Sequence, residues 1–96
     1  RTMKGPILNV EINNSTWTLI SLPAYTTCVN YTVTARAQKK FYMRPVVGDE
    51  NVWKTVHEAV TLGFPEVFNT PGVGLFYAKT PDNTDTEILE VTFITS

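Results

Sequence analysis

The stretch Thr86-Glu87-Ile88-Leu89-Glu90-Val91-Thr92-Phe93-Ile94 alternates polar and apolar residues with a period close to two. Successive side chains of an extended chain point to opposite sides, so this pattern demands a half-buried β-strand. Leu89, Val91 and Phe93 are then inward, and Glu90 and Thr92 outward. The same habit recurs along the chain. Ile7–Ile12 sets Leu8, Val10 and Ile12 on one face and Asn9 and Glu11 on the other. Val29–Ala37 sets Val29, Tyr31, Val33, Ala35 and Ala37 against Asn30, Thr32, Thr34 and Arg36. Val73–Lys79 sets Val73, Leu75 and Tyr77 against Gly74, Phe76 and Ala78.

Between these runs lie turn formers. Asn13-Asn14-Ser15 ends the first strand, Pro23 ends an extended piece from Trp17 to Leu22, and Thr70-Pro71-Gly72 precedes Val73. Gln38-Lys39-Lys40 reads as a hairpin turn leading back through Phe41–Arg44. Gly48-Asp49-Glu50-Asn51 is a loop. The Val52–Leu62 stretch fits helical spacing at Trp53, Val56 and Val60, but strands around 52–57 and 59–62 are favoured, ended by Gly63 and Pro65. Phe64–Phe68 reads as a short apolar connection. Pro81–Asp85 is a polar loop that should let the last two strands pair antiparallel. The expectation is an all-β chain of about seven short strands, a small β-sandwich or jelly-roll-like barrel. Val33, Leu75, Val91 and Phe93 are the predicted core.

Ninety-six residues hold one such domain. Residues 1–6 read as an N-terminal arm broken from the domain, 7–96, by Gly5-Pro6. Arg1-Thr2 ahead of Met3 suggests a segment cut from something longer, and no signal-peptide pattern opens the chain. Met3, Ile7 and Leu8 are apolar side chains that a partner chain would cover. Charged residues make up 18% of the chain and the net charge is −1. That balance disfavours a phosphate-tracking nucleic-acid surface. Arg36, Lys39, Lys40 and Arg44 interleave with Phe41 and Tyr42, but a solvated hairpin tip explains them better. No apolar run approaches the roughly 18 residues that span a membrane.

Catalytic chemistry is not legible, and the expectation is a non-enzyme with no cofactor and no metal. His57 is the sole histidine, so the chain has no His-rich metal site, and no nucleophile-and-carboxylate pattern around His57 marks a triad. Cys28 is the sole cysteine, so no disulfide forms within the chain. It reads as a buried thiol, in keeping with a reducing compartment. Asp82, Asp85 and Glu87 lack the spacing of a calcium loop. Gly72-Val73-Gly74 precedes a strand rather than a helix, so it is a turn with room for a close neighbour, not a phosphate cradle. Asn13-Asn14-Ser15-Thr16 and Asn30-Tyr31-Thr32 match glycosylation sequons, as an Asn- and Thr-rich chain readily does. Eleven aromatics exceed what one small core needs, so some should surface as an interface or a sugar platform. Tyr25 and Tyr42 join Met3, Ile7 and Leu8 as expected partner contacts.

The order of pieces resembles small structural proteins of tailed bacteriophages. The resemblance is carried by Trp17-Thr18-Leu19 leading to Leu22-Pro23, the Val29–Ala37 strand and Phe41-Tyr42-Met43-Arg44. It continues through the segment around Trp53, Leu75-Phe76-Tyr77-Ala78-Lys79-Thr80 and Leu89-Glu90-Val91, about four fifths of the chain. It implies a head-decoration (capsid cement) protein: a small sandwich or jelly roll, often a homotrimer, that bridges major-capsid subunits against internal genome pressure. By that resemblance the partners are the major capsid protein or other virion subunits, with no nucleic acid and no membrane. The location is then the virion, after assembly in the host cytoplasm. The competing expectation is a carbohydrate- or receptor-binding module of a phage tail or fibre.

Overall fold

The computed structural model describes residues 3–22, 30–57, 60–68, 70 and 72–95. It contains eight strands: β1 (Met3–Asn13), β2 (Thr18–Ser21), β3 (Tyr31–Ala37), β4 (Phe41–Arg44), β5 (Lys54–Val56), β6 (Leu62–Phe68), β7 (Gly74–Lys79) and β8 (Thr86–Thr95). No helix occurs among the described residues. Two antiparallel sheets form, in the orders β1-β8-β3-β6 and β2-β7-β4-β5. The all-β sandwich expected from the alternation is the fold observed.

The pairing is nested. β1 pairs with β8, β2 with β7, β3 with β6 and β4 with β5. The chain is thus one long hairpin with its tip between β4 and β5. It is rolled up so that β3 also meets β8 and β4 also meets β7. Nearly every connection steps from one sheet to the other, and only β4–β5 stays within a sheet. This is the winding of a jelly roll.

That winding overturns two pairings expected from proximity in sequence. Gln38-Lys39-Lys40 is not a hairpin turn. It is a crossover, since Ala37 and Phe41 are both buried but belong to opposite sheets. Likewise β7 and β8 do not pair, and the Pro81–Asp85 loop carries the chain between sheets. The crossovers are tied to one another. The Thr80 amide donates to the Asn13 carbonyl at 3.0 Å, and Asn14 Nδ2 donates to the Asp82 carbonyl at 3.1 Å. The Lys39 amide donates to the Glu87 carboxylate.

The core lies between the sheets. Tyr31, Val33, Ala35 and Ala37 of β3 and Leu89, Val91 and Phe93 of β8 line one side. Ile20, Phe41, Met43, Phe76 and Ala78 line the other. Each large side chain fully removed from water contributes about 1.5–3 kcal/mol. One ring pair bridges the layers and another lies within the β3–β8 side of the core. Phe64 of β6 stacks on Phe76 of β7 across the sandwich, with centroids 5.0 Å apart, and Tyr31 meets Phe93 edge-on at 5.7 Å. Val33, Val91 and Phe93 are core residues as expected. Leu75 is only partly buried against the core; the fully buried positions of β7 are Phe76 and Ala78. Leu75 adjoins a register shift between Ile20 and Ser21, where β7 carries one extra residue.

Prolines do not end strands where they were expected to. Gly63 and Pro65 lie inside β6, and Phe64–Phe68 is strand rather than connection. The β1 ladder likewise runs through Gly5-Pro6 to pair Met3 with Thr95 and Lys4 with Ile94. Both prolines fall where the register shifts, between Lys4 and Ile7 and opposite the Tyr31–Val33 step. Both strands are sheet edges, so the missing N–H need not serve a ladder. The strand expected at 52–57 is β5, shorter than foreseen, and the one expected at 59–62 begins at Leu62.

Candidate functional site

Strand alternation puts Leu19 of β2, Tyr77 and Lys79 of β7, and Tyr42 and Arg44 of β4 on the outer face of the β2-β7-β4-β5 sheet. Cross-strand register sets Leu19 opposite Tyr77, Tyr77 opposite Arg44, and Lys79 opposite Tyr42. Two tryptophans stand just ahead of the edge strands, Trp17 before β2 and Trp53 before β5. Their rings lean in over the sheet until the centroids are 5.8 Å apart, tilted 57°. Trp53 also meets Tyr42 at 5.9 Å, tilted 42°.

Cations hold this cluster from below. The Arg44 guanidinium lies 4.1 Å from the Tyr77 ring centroid and 5.2 Å from that of Trp17, and Lys79 Nζ is 5.7 Å from Trp17. Such contacts are worth about 0.5–2 kcal/mol each, more when shielded from water. Arg44 Nε is buried with no hydrogen-bond partner among the described residues, so the rings are the main company of this charge.

Three connections close the walls. Asn13 Oδ1 accepts the amides of Ser15 (3.0 Å) and Thr16 (2.9 Å), a side-chain-capped corner that delivers Trp17. Asp49 Oδ1 accepts the Asn51 amide at 2.9 Å and its carbonyl accepts the Val52 amide at 3.0 Å. These bonds shape the β4–β5 tip, which folds back over the sheet. The Asn14–Asp82 bond anchors the third wall. The result is a cleft of about 470 Å³ lined by Trp17, Tyr42, Glu50, Asn51, Trp53, Lys79 and Asp82. Trp53 is 47% exposed there. The volume falls within the roughly 300–1,000 Å³ of small-ligand clefts.

Of the expected contact residues, Tyr42 lines this cleft. Ile7 is exposed on the outer face of the other sheet, while Leu8 packs partly buried against the core. Met3 pairs through its backbone in β1, and Tyr25 and Cys28 lie outside the described residues. The basic group is dispersed. Phe41 is core, Arg44 is under the cleft, and Arg36 faces outward on the other sheet. His57 lines a separate recess with Lys39, Lys40, Asn83 and Thr84.

Glu87 has turned away from the acidic loop. It shares the inward parity of Leu89, Val91 and Phe93 and is nearly buried. Burial pushes its carboxyl above the ordinary value; the amides of Lys39 and Gln38 and the Lys39 charge pull the other way without prevailing. Its Oε2 has no partner among the described residues. No group of three His, Cys, Asp or Glu able to hold a metal occurs among the described residues.

Trp17, Trp53, Tyr77, Lys79 and Arg44 were not singled out from the sequence as a site. The available signal was two tryptophans, each immediately before a short extended segment and just after a run of turn-forming residues. Comparisons with protein-family models, curated proteins and solved structures give no match to this chain.

Proposed function

We propose that the protein is a structural, non-enzymatic virion component of the phage head-decoration type. In this reading it acts as a homo-oligomer, a trimer, and bridges major-capsid or other virion subunits by burying its faces on them. The observation that carries the reading is the placement of exposed apolar side chains on both sides of one small sandwich. Ile7, Ile88 and Val67 stand outward on the β1-β8-β3-β6 sheet. Leu19, Val47, Val52 and Trp53 stand outward on the opposite sheet and its tip. A subunit that bridges needs two contact faces, and apolar patches on opposed faces supply them. The jelly-roll winding agrees, because capsid domains use it; this is support by analogy of fold. The test is sedimentation of the chain alone and with cognate empty capsids. Concentration-dependent trimers that co-sediment with capsids are expected. A monomer that leaves capsids bare overturns the reading.

A second reading, a carbohydrate- or receptor-binding module, is favoured by one specific observation. The Trp17–Trp53 cleft combines aromatic rings with carboxylate, amide and ammonium groups. That mixture suits ligands with one apolar and one hydroxylated side. Lectin domains also use the jelly-roll winding. Saccharide binding by the purified chain tests it.

A further inference from the structure

We infer that the cleft between Trp17 and Trp53 takes a neutral saccharide, held as one or two sugar units of a soluble or terminal glycan. The inference rests on the second reading above and narrows it to a ligand class.

Ring orientation argues for the short, non-crystalline ligand. A flat polysaccharide surface needs coplanar aromatic rings. Here Trp17 and Trp53 are tilted 57° to each other, and Tyr42 and Trp53 are tilted 42°. The cleft is concave, and a sugar ring laid on Trp53 with its C–H face down meets Trp17 and Tyr42 at its sides. The volume of about 470 Å³ limits the occupant to a small unit.

The charge arrangement argues for neutrality. Both nearby cations are drawn to the aromatic rings, Arg44 against Tyr77 and Trp17, and Lys79 toward Trp17. The polar side chains on the walls are two exposed carboxylates, Glu50 and Asp82, the Asn51 amide and the half-buried Lys79 ammonium, which leaves the lining with one more negative charge than positive. Carboxylates accept hydrogen bonds from vicinal hydroxyl pairs and repel carboxylate or phosphate substituents, while the amide can both donate to and accept from hydroxyls. The walls are also fixed in advance by the Asn13, Asp49 and Asn14 hydrogen bonds, which lowers the ordering cost of binding.

The experiment is tryptophan-fluorescence titration and ligand-observed NMR on the whole chain. The probes are neutral gluco-, manno-, galacto- and N-acetylglucosamine oligosaccharides, sialyllactose, oligogalacturonate, and suspended microcrystalline cellulose and chitin. Trp53→Ala, Trp53→Phe and Glu50→Gln variants accompany the native chain, each checked for an unaltered circular-dichroism spectrum. The expected result is saturable binding of a neutral oligosaccharide. Trp53→Ala should weaken it at least about tenfold, Trp53→Phe should restore part of it, and Glu50→Gln should weaken it several-fold. Binding confined to acidic sugars or to crystalline polymer overturns this inference while leaving the sugar-binding reading in place. A folded native chain that binds no saccharide overturns both.

Discussion

The two sheets of this small sandwich are built to different specifications. One consists of strands of 11, 10, 7 and 7 residues, and its outer face carries Thr32, Thr34 and Thr92 among scattered larger side chains such as Ile7, Ile88 and Arg36, with no aromatic cluster among the described residues. The other consists of strands of 4, 6, 4 and 3 residues, and its outer face carries Tyr42, Tyr77, Arg44 and Lys79 beneath two tryptophans. Long ladders make the first sheet a frame. Short ladders leave more of the second sheet's shape to side chains and to the loops that fold over it. The division of labour that follows is that the first sheet holds the fold and the second holds the site. Loops carried by a rigid scaffold are where binding groups usually collect.

The strongest way to break this division is to strike the frame. Phe93→Ala removes a fully buried ring that packs edge-on against Tyr31. It should cost about 3–5 kcal/mol, enough to unfold much of a domain this size, read as loss of the urea transition. A normal transition would show that the long sheet is not the frame.

A smaller effect is expected beneath the cleft. Arg44→Ala deletes the cation shared by Tyr77 and Trp17. A loss of about 1–2 kcal/mol is expected, with red-shifted tryptophan emission as Trp17 gains water. Arg44→Lys should recover only part of it, because the planar guanidinium is what lies against the rings. An unchanged emission maximum would remove Arg44 from the support of the site.

Glu87 sharpens the comparison through pH. Its folded pKa lies above the ordinary 4.5, because burial disfavours the charged form. Between those two values the folded chain keeps a proton that the unfolded chain has released. Stability is therefore fullest below the unfolded value and falls as pH rises through the folded one. Glu87→Gln keeps an oxygen for the Lys39 amide and should flatten the fall of Tm as pH rises above the ordinary carboxyl value of 4.5. An identical slope in both proteins would assign the dependence to other groups.

The smallest effect on stability belongs to Trp53→Ala. The ring is half exposed at a sheet edge, so the melt should move by little more than about 1 kcal/mol. A loss as large as that of Phe93 would make the cleft part of the frame and dissolve the contrast between sheets.

The same contrast governs what could be read from the sequence. β1, β3 and β8 are long enough for alternation to declare them, and their inward residues were identifiable from period alone. Period two assigns faces but not partners. It therefore could not say that β3 and β4, three residues apart, belong to opposite sheets, nor that β7 and β8 do. Glu87 was legible by parity with Leu89 but was grouped with its loop neighbours by charge. The cleft was hardest to see, because Trp17 and Trp53 lie outside the strands and meet only through the rolled topology. Tyr42, on a strand, was the one cleft residue among the expected partner contacts.

The prolines of β1 and β6 carry a consequence for crowded settings. Each occupies an outer edge of the long sheet, at a point where the ladder is already out of register. An incoming strand would find a missing donor and a broken spacing on either side. The short sheet offers only edges of four and three residues. Edge-to-edge backbone pairing between neighbours is therefore interrupted at the prolines, which discourages it relative to contacts made through side chains.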